Sequence, residues 1–109
     1  MGNEDMLSGL LEAAQRMQKD LAKAQEDLAQ KRVEASAGGG MVVAVVTGKL
    51  ELVELKIEAT VVDPKDIGML QDLVVAAVNQ ALAKAKSMAQ AELSKLTGGM
   101  QLPGMPNLF

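Results

Sequence analysis

The chain has no cysteine, histidine, tryptophan or tyrosine, and its single aromatic residue, Phe109, is the last of its 109 residues. Without Cys or His there is no zinc finger, no thiolate nucleophile and no imidazole base. The lack of Cys also means no disulfide framework and no clue to redox compartment. Without internal aromatics there is no platform on which unpaired bases stack, which argues against an RRM-like or OB-type single-strand binder. No apolar run approaches the roughly 20 residues of a membrane span. The acidic start Met1-Gly2-Asn3-Glu4-Asp5 lacks the pattern of a signal peptide. The expectation is a soluble, cytoplasmic protein. The net charge of −3 excludes a simple polycation that coats nucleic acid, although a local basic patch remains open.

What is present is a globular composition, 49% hydrophobic and 23% charged, at a length that suits one domain with one modest core. Asn3 is a good N-cap, and Glu4 and Asp5 suit the positive end of a helix. Apolar residues then recur at heptad spacing. Leu7, Ala14, Leu21 and Leu28 fall on one position and Leu10, Met17 and Ala24 on the other, until Lys31 stops the seam. Opposite charges stand four apart at Glu12/Arg16, Arg16/Asp20, Lys23/Asp27 and Asp27/Lys31, as on a solvated helix face. These signals predict a first helix over about residues 4–31. So long a helix with so narrow a stripe needs a partner, either another helix or a second copy of the chain.

Gly38-Gly39-Gly40 breaks the helical pattern, and Val33–Ala37 before it reads as a short strand or a frayed helix end. Met41–Thr47 is rich in β-branched residues, Thr47-Gly48-Lys49 signals a turn, and Leu50–Glu58 resumes a strand. Val53, Leu55 and Ile57 would share one face of that strand, opposite Glu54, Lys56 and Glu58. The first hairpin strand is apolar on both faces, and such strands are usually covered on both sides. One chain of this size covers one face well, and a second copy would cover the other. Asp63-Pro64 would cap and open a second helix over about 64–97, ending at Gly98-Gly99. Its broad stripe runs from Ile67 to Leu96, and Gly68 weakens its first turn. Met100–Phe109, with Pro103, Gly104 and Pro106, reads as an extended or disordered tail. The fold expected is α+β, with a long N-terminal helix, a small three-stranded antiparallel sheet and a long C-terminal helix, the helices packing on one face of the sheet and projecting beyond it.

Several segments resemble the YbaB/EbfC family of bacterial nucleoid-associated proteins. They are Met17-Gln18-Lys19 in the first helix, Gly38-Gly39-Gly40-Met41-Val42 leading into the apolar strand, the run Met69–Ala81 in the second helix, and Gly99-Met100-Gln101-Leu102-Pro103-Gly104 in the tail. The likeness covers nearly the whole chain, as one domain over 1–99 with a tail over 100–109, and the second-helix run is its most specific part. The family's strand typically ends in Ile-Asp-Pro. Here it reads Ile57-Glu58-Ala59, and an Asp-Pro pair follows at Asp63-Pro64. The resemblance implies a tweezer-like homodimer that binds double-stranded DNA with low or moderate sequence preference, in nucleoid organisation or gene regulation. The implied interface would draw on Met41, Val43, Val45, Val53, Leu55, Val74, Val78 and Asn79.

Two segments are locally positive. Residues 16–23 carry Arg16, Lys19 and Lys23 against Asp20, and residues 79–97 carry Lys84, Lys86 and Lys95 against Glu92. With Lys31 and Arg32 these are the candidate DNA-binding residues, since phosphate contacts need positive charge at helical reach and no base chemistry. Lys and Arg are also ordinary on solvated helix faces, so charge alone argues weakly. The glycine run does not form a phosphate loop, because the required first Gly before Gly48-Lys49 is Val43. The carboxylates make no convincing catalytic or metal set, so the expectation is no enzyme, no cofactor and no small-molecule substrate. Asn79, inside an apolar run, would fix dimer register or an adjoining turn. Met17, Met69 and Met88 are expected to fill the core in place of aromatics. The alternative function is a protein-interaction or scaffolding module that uses its amphipathic helices and apolar tail.

Overall fold

The computed structural model describes residues 2–96, in the order α1 (Gly2–Gln30), β1 (Arg32–Ala37), β2 (Val42–Thr47), β3 (Leu52–Ile57) and α2 (Ile67–Leu96), with a short 3-10 turn at Ala59–Val61 before α2. The expected tail and the Gly98-Gly99 helix stop lie outside these residues. The three strands form one antiparallel sheet with β2 in the middle. Val33–Ala37 is therefore strand, and the α+β architecture matches the sequence expectation.

Helix α2 crosses one face of the sheet over β1 and β2. Its contact line is a ladder of small residues four apart. Ala77, Ala81 and Ala85 are completely buried, and Ala89 nearly so. Opposite them lie Val42, Ala44 and Val46 of β2, which are also sealed from solvent. Residues four apart stack on one helix face, and methyl side chains there let the helix axis approach the sheet closely. Val33, Ala35 and Ala37 of β1 complete that face. Leu70, Leu73, Val74, Val78 and Leu82 pack around its margin.

Helix α1 departs from the expectation that both helices pack on the sheet. Every residue from 4 to 23 is exposed, and only Leu28 is buried. The molecule consequently measures 78 × 26 × 16 Å. A helix of 29 residues is about 43 Å long at 1.5 Å per residue, so α1 is an arm projecting from the body. Two of the methionines assigned to the core are on the surface, Met17 at 45% and Met69 at 40% exposure. Alanine against valine fills the body without them. Asn3, expected to precede the helix, already lies within it, because the helix runs from Gly2.

The turns explain the shifted boundaries. Gly38, Gly39 and Gly40 all have left-handed φ values, of 66°, 68° and 92°, so the triple glycine makes a defined tight turn. At the start of α2, Asp63 does not cap. Its carboxylate accepts the Lys65 N–H at 2.9 Å and its carbonyl accepts the Asp66 N–H at 2.9 Å. Pro64 thus sits at the second position of a turn, where its fixed φ is favoured. The helix begins three residues later, capped by Asp66, whose carboxylate accepts the Met69 N–H at 3.2 Å.

The β2–β3 turn closes with the Leu50 N–H donating to the Thr47 carbonyl at 2.9 Å. The buried Thr47 hydroxyl accepts from the Lys49 and Glu51 N–H groups. A register shift follows. Val45 pairs with Glu54 but Val46 pairs with Leu52, leaving Val53 as the extra residue of a bulge. The even alternation predicted from Val53 to Ile57 therefore holds only from Glu54 onward. Leu50 is the one described non-glycine residue with positive φ, at 67°. Its side chain is 46% exposed, so little packing offsets the steric cost of that conformation. Leu50→Asn is expected to stabilise the chain by about 0.5 kcal/mol, because Asn tolerates left-handed backbone. A urea titration showing no gain, or a loss, would contradict the strain assigned to this turn.

Candidate nucleic-acid interface

The sequence-predicted cations divide into two structural groups. On α1, Arg16, Lys19 and Lys23 recur at intervals of three and four, so they line one face of the arm. The apolar positions Leu7, Leu10, Ala14, Met17 and Leu21 lie on the opposite side of the same helix. None of the three cations forms an ion pair among the described residues. The pairs expected four apart along α1 do not form there, and Lys31 turns instead to Glu92 of α2.

The second group is tied to the body. The Lys31 ammonium meets the Glu92 carboxylate at 2.7 Å, and Lys95 reaches the same oxygen at 3.5 Å. The Lys84 ammonium donates to the Glu34 backbone carbonyl at 2.9 Å, which satisfies an acceptor on the outer edge of β1. Lys86, on α2, and Arg32, at the start of β1, are exposed and join no ion pair among the described residues. Three of the eight candidate cations thus already have partners within the chain. Glu92 is the residue sequence reasoning missed. Its link to Lys95 is visible as a three-residue spacing, but its partner Lys31 is 61 positions away in sequence.

The candidate interface residues divide as well. Ala44 pairs with Leu55 and Val42 with Ile57, so these β3 side chains share the α2 face. Helix α2 does not reach over them, and Leu52, Leu55 and Ile57 remain 36–47% exposed. Gln80 and Lys84 lie against β1, which places Val74 and Val78 on the flank of α2 toward β3. Leu55, Val74 and Val78 therefore border one uncovered apolar strip. Val43 and Val45 point to the other face of the sheet, between Ser36 and Lys56 and between Glu34 and Glu54 respectively. There Val43 is half-buried and Val45 is 4% exposed, so Val45 is already shielded within the single chain. Val53 sits at the bulge and Met41 at the glycine turn. Asn79 is exposed on α2, outside the packed face. Among the described residues no group of three or more Asp or Glu is placed to hold a metal ion, and no helix is long and apolar enough to cross a membrane.

The fold is a sheet body with a projecting helix, along which runs a row of cations that form no ion pair among the described residues. The chain belongs to the YbaB/EbfC DNA-binding family, whose sequence model matches residues 1–100. It is 53% identical over 103 residues to a nucleoid-associated protein of Acetivibrio thermocellus, covering 94% of this chain and 89% of that one. It is 47% identical over 105 residues to a nucleoid-associated protein of Alkaliphilus metalliredigens, covering 96% and 92% respectively. The fold is similar to the crystal structure of the uncharacterized protein HP0035 from Helicobacter pylori, with a TM-score of 0.72 at 23% identity, over 90% of this chain and all of that one.

The Glu92 carboxylate is held below the usual carboxylate range, first by its hydrogen bond from Lys31 and then by the charges of Lys31 and Lys95. The folded value is the depressed one. The pair's small contribution to stability is therefore present above the ordinary carboxylate range and lost as pH falls through the lowered value. An NMR titration of the side-chain carboxyls should find Glu92 ionising below its exposed neighbours, and Lys31→Gln should move it back toward them. An unshifted Glu92 would mean that the ion pair does not form in solution.

Proposed function

We propose that the chain binds double-stranded DNA as a homodimer, through its helix cations and with low or moderate sequence specificity, in nucleoid organisation or gene regulation. Beside the family membership, the observation that carries this reading is the unpaired row Arg16, Lys19 and Lys23 on an arm exposed along its length. Such a row offers positive charge to successive phosphates and presents no aromatic or base-reading group, so binding is governed by the DNA backbone. Arg32 and Lys86 add free charge nearer the body. Lys31, Lys84 and Lys95 contribute only if they exchange their present partners for phosphates. The protein acts as a binder and carries out no reaction, and its place is the nucleoid, as the names of its relatives suggest.

A second copy suits the surfaces left open. The strip bordered by Leu55, Val74 and Val78 is the part of the body where burial would gain most; on the other face of the sheet Val43 is half-buried and Val45 already buried. A dimer also doubles the number of cations that meet one duplex. The competing reading, a scaffolding module, rests on the other side of the arm, where Met6, Leu7, Leu10 and Leu11 are 59–67% exposed. Capture from cell extract with and without nuclease separates the two, since a protein partner survives loss of DNA.

Random-sequence duplex should be retarded at low salt and released steeply as salt rises, with a log–log slope of about −0.9 for each phosphate contact. Lys19→Glu should weaken binding by roughly tenfold at low salt without unfolding the chain, because it replaces attraction to a phosphate with repulsion. Glu92→Gln, which frees Lys31 and Lys95, should strengthen binding and steepen the slope. No retardation at any salt concentration would end the DNA reading. Leu55→Glu should shift the sizing profile from dimer to monomer, and an unchanged profile would move the interface elsewhere.

A further inference from the structure

The arm is attached only through its C-terminal end, which packs against α2 and against the β2–β3 turn, and at that turn the contact is a glycine. The Gly48 N–H, in the β2–β3 turn, donates to the Leu28 carbonyl at 2.9 Å and to the Lys31 carbonyl at 3.1 Å. The last carbonyls of a helix lack partners within it, so a turn of the sheet here completes the C-terminus of α1. The approach is very close. A Cβ on residue 48 would stand 2.5 Å from the Leu28 carbonyl oxygen and 3.0 Å from both Cβ and Cδ2 of Leu28. The Gly48 φ lies outside the left-handed region, so glycine is required for space and not for backbone conformation. Leu28 is 4% exposed, and it is the last apolar residue of the α1 seam. The Lys31–Glu92 pair adds a second tie, but both of its side chains are partly in water, where such pairs contribute little.

We propose that Gly48 is the positioning residue of the DNA-binding arm. By seating Leu28 directly on the β2–β3 turn it fixes the angle at which α1 leaves the body, and so places Arg16, Lys19 and Lys23. Leverage is the reason a single seat matters. Arg16 lies twelve residues before Leu28, about 18 Å along the helix, so a tilt of roughly 20° at Leu28 moves it by about 6 Å. That shift is nearly two of the roughly 3.4 Å steps between successive phosphates on one strand. Residues 4–23 are all exposed, so within the chain no packing further out along the arm corrects the angle. The proposal rests on the DNA reading for its consequence, although the geometry of the arm can be tested without DNA.

The absence of cysteine makes the test direct. Ala13→Cys and Glu54→Cys place one spin label on the arm and one on β3, both at exposed positions. The doubly labelled chain is diluted with unlabelled chain, and the distance is read by pulsed electron spin resonance. Gly48→Ala should shift or broaden the distance distribution by several ångströms, whereas Gly9→Ala, where a Cβ meets nothing within 4 Å, should leave it unchanged. Gly48→Ala should also weaken duplex binding on the order of tenfold and flatten its salt slope by about 2, the signature of two fewer phosphates neutralised while every cation is retained. A merely destabilised body would not change the slope at temperatures where the chain remains folded. Leu28→Ala serves where Gly48→Ala does not fold. It empties the seat without crowding it and should broaden the same distribution. An unchanged distribution in the folded variant, or a changed one with unchanged affinity and slope, overturns the proposal. Failure of the parent chain to bind duplex would sink the DNA reading and leave the distance result to judge the seat on its own.

Discussion

Ala77, Ala81 and Ala85 offer only methyl groups to the sheet, and the rest of the molecule depends on how closely those methyls let α2 approach. A helix bearing leucines on that line would stand further from β2 and cover more of the sheet. With alanines it lies close over β1 and β2 and stops short of β3. Two consequences follow from that narrow footprint. The body is sealed where Val42, Ala44 and Val46 meet the ladder, and it is open along β3, where Leu52, Leu55 and Ile57 keep a third to a half of their surface in water. Small residues at the contact line thus complete the core and also leave an apolar strip that one chain does not cover.

The same narrowness governs the arm. A core of alanine and valine has little width, and α1 finds no room on the α2 face of the sheet. It is joined instead through its last turns, where Leu28 enters the body and Gly48 closes over it. Residues 4–23 are all surface, with apolar residues on one side of the helix and the cations Arg16, Lys19 and Lys23 on the other. Most of a helix's stability in proteins comes from packing its amphipathic face and not from propensity. The apolar side of the arm is therefore as much a requirement for partnership as the strip on β3, and the cationic side is free to meet something else. Under the proposed function, separating the two sides would let one helix serve assembly and DNA contact at once.

Much of this was legible in the sequence, and the reasons are specific. The heptad seam, the glycine run and the β-branched stretch each carry a pattern that identifies the element, so five elements and their order followed from pattern alone. Boundaries failed where two residues could do the same job. Asp63-Pro64 and Asp66 both suit a helix start, and only the turn that Asp63 makes with Lys65 decides for Asp66. Val53 belongs to the alternating pattern by sequence and leaves it through a bulge, which no pattern of hydrophobicity reports. Met17 and Met69 lie at the surface because a core closed by alanine against valine does not need the bulk that missing aromatics would otherwise leave to methionine. For the site, the row on α1 was visible because its spacing is helical. The partnerships of Lys31 with Glu92 and of Lys84 with the Glu34 carbonyl join residues 61 and 50 positions apart, and no local signal encodes them.

The net charge of −3 also looks different once its distribution is known. The acidic residues Glu4, Asp5 and Glu12 occupy the outer part of the arm, while in its middle Arg16, Lys19 and Lys23 outnumber the single Asp20 among them, so the local balance of charge changes sign along α1. Whole-chain repulsion is long-ranged and falls off within a Debye length of about 8 Å at physiological salt, whereas contacts at the phosphates are made inside that distance. An acidic chain can therefore hold DNA, provided its cations locally outnumber its acids. That condition is geometric. It requires Arg16, Lys19 and Lys23 to be presented together at a fixed angle, clear of a body where Lys31 and Lys95 are occupied by Glu92 and Lys84 by the edge of β1. The demand for a rigid seat at Leu28 and Gly48 follows from the charge balance itself, because a strongly basic arm would bind at many angles and this one has too few charges to tolerate misalignment.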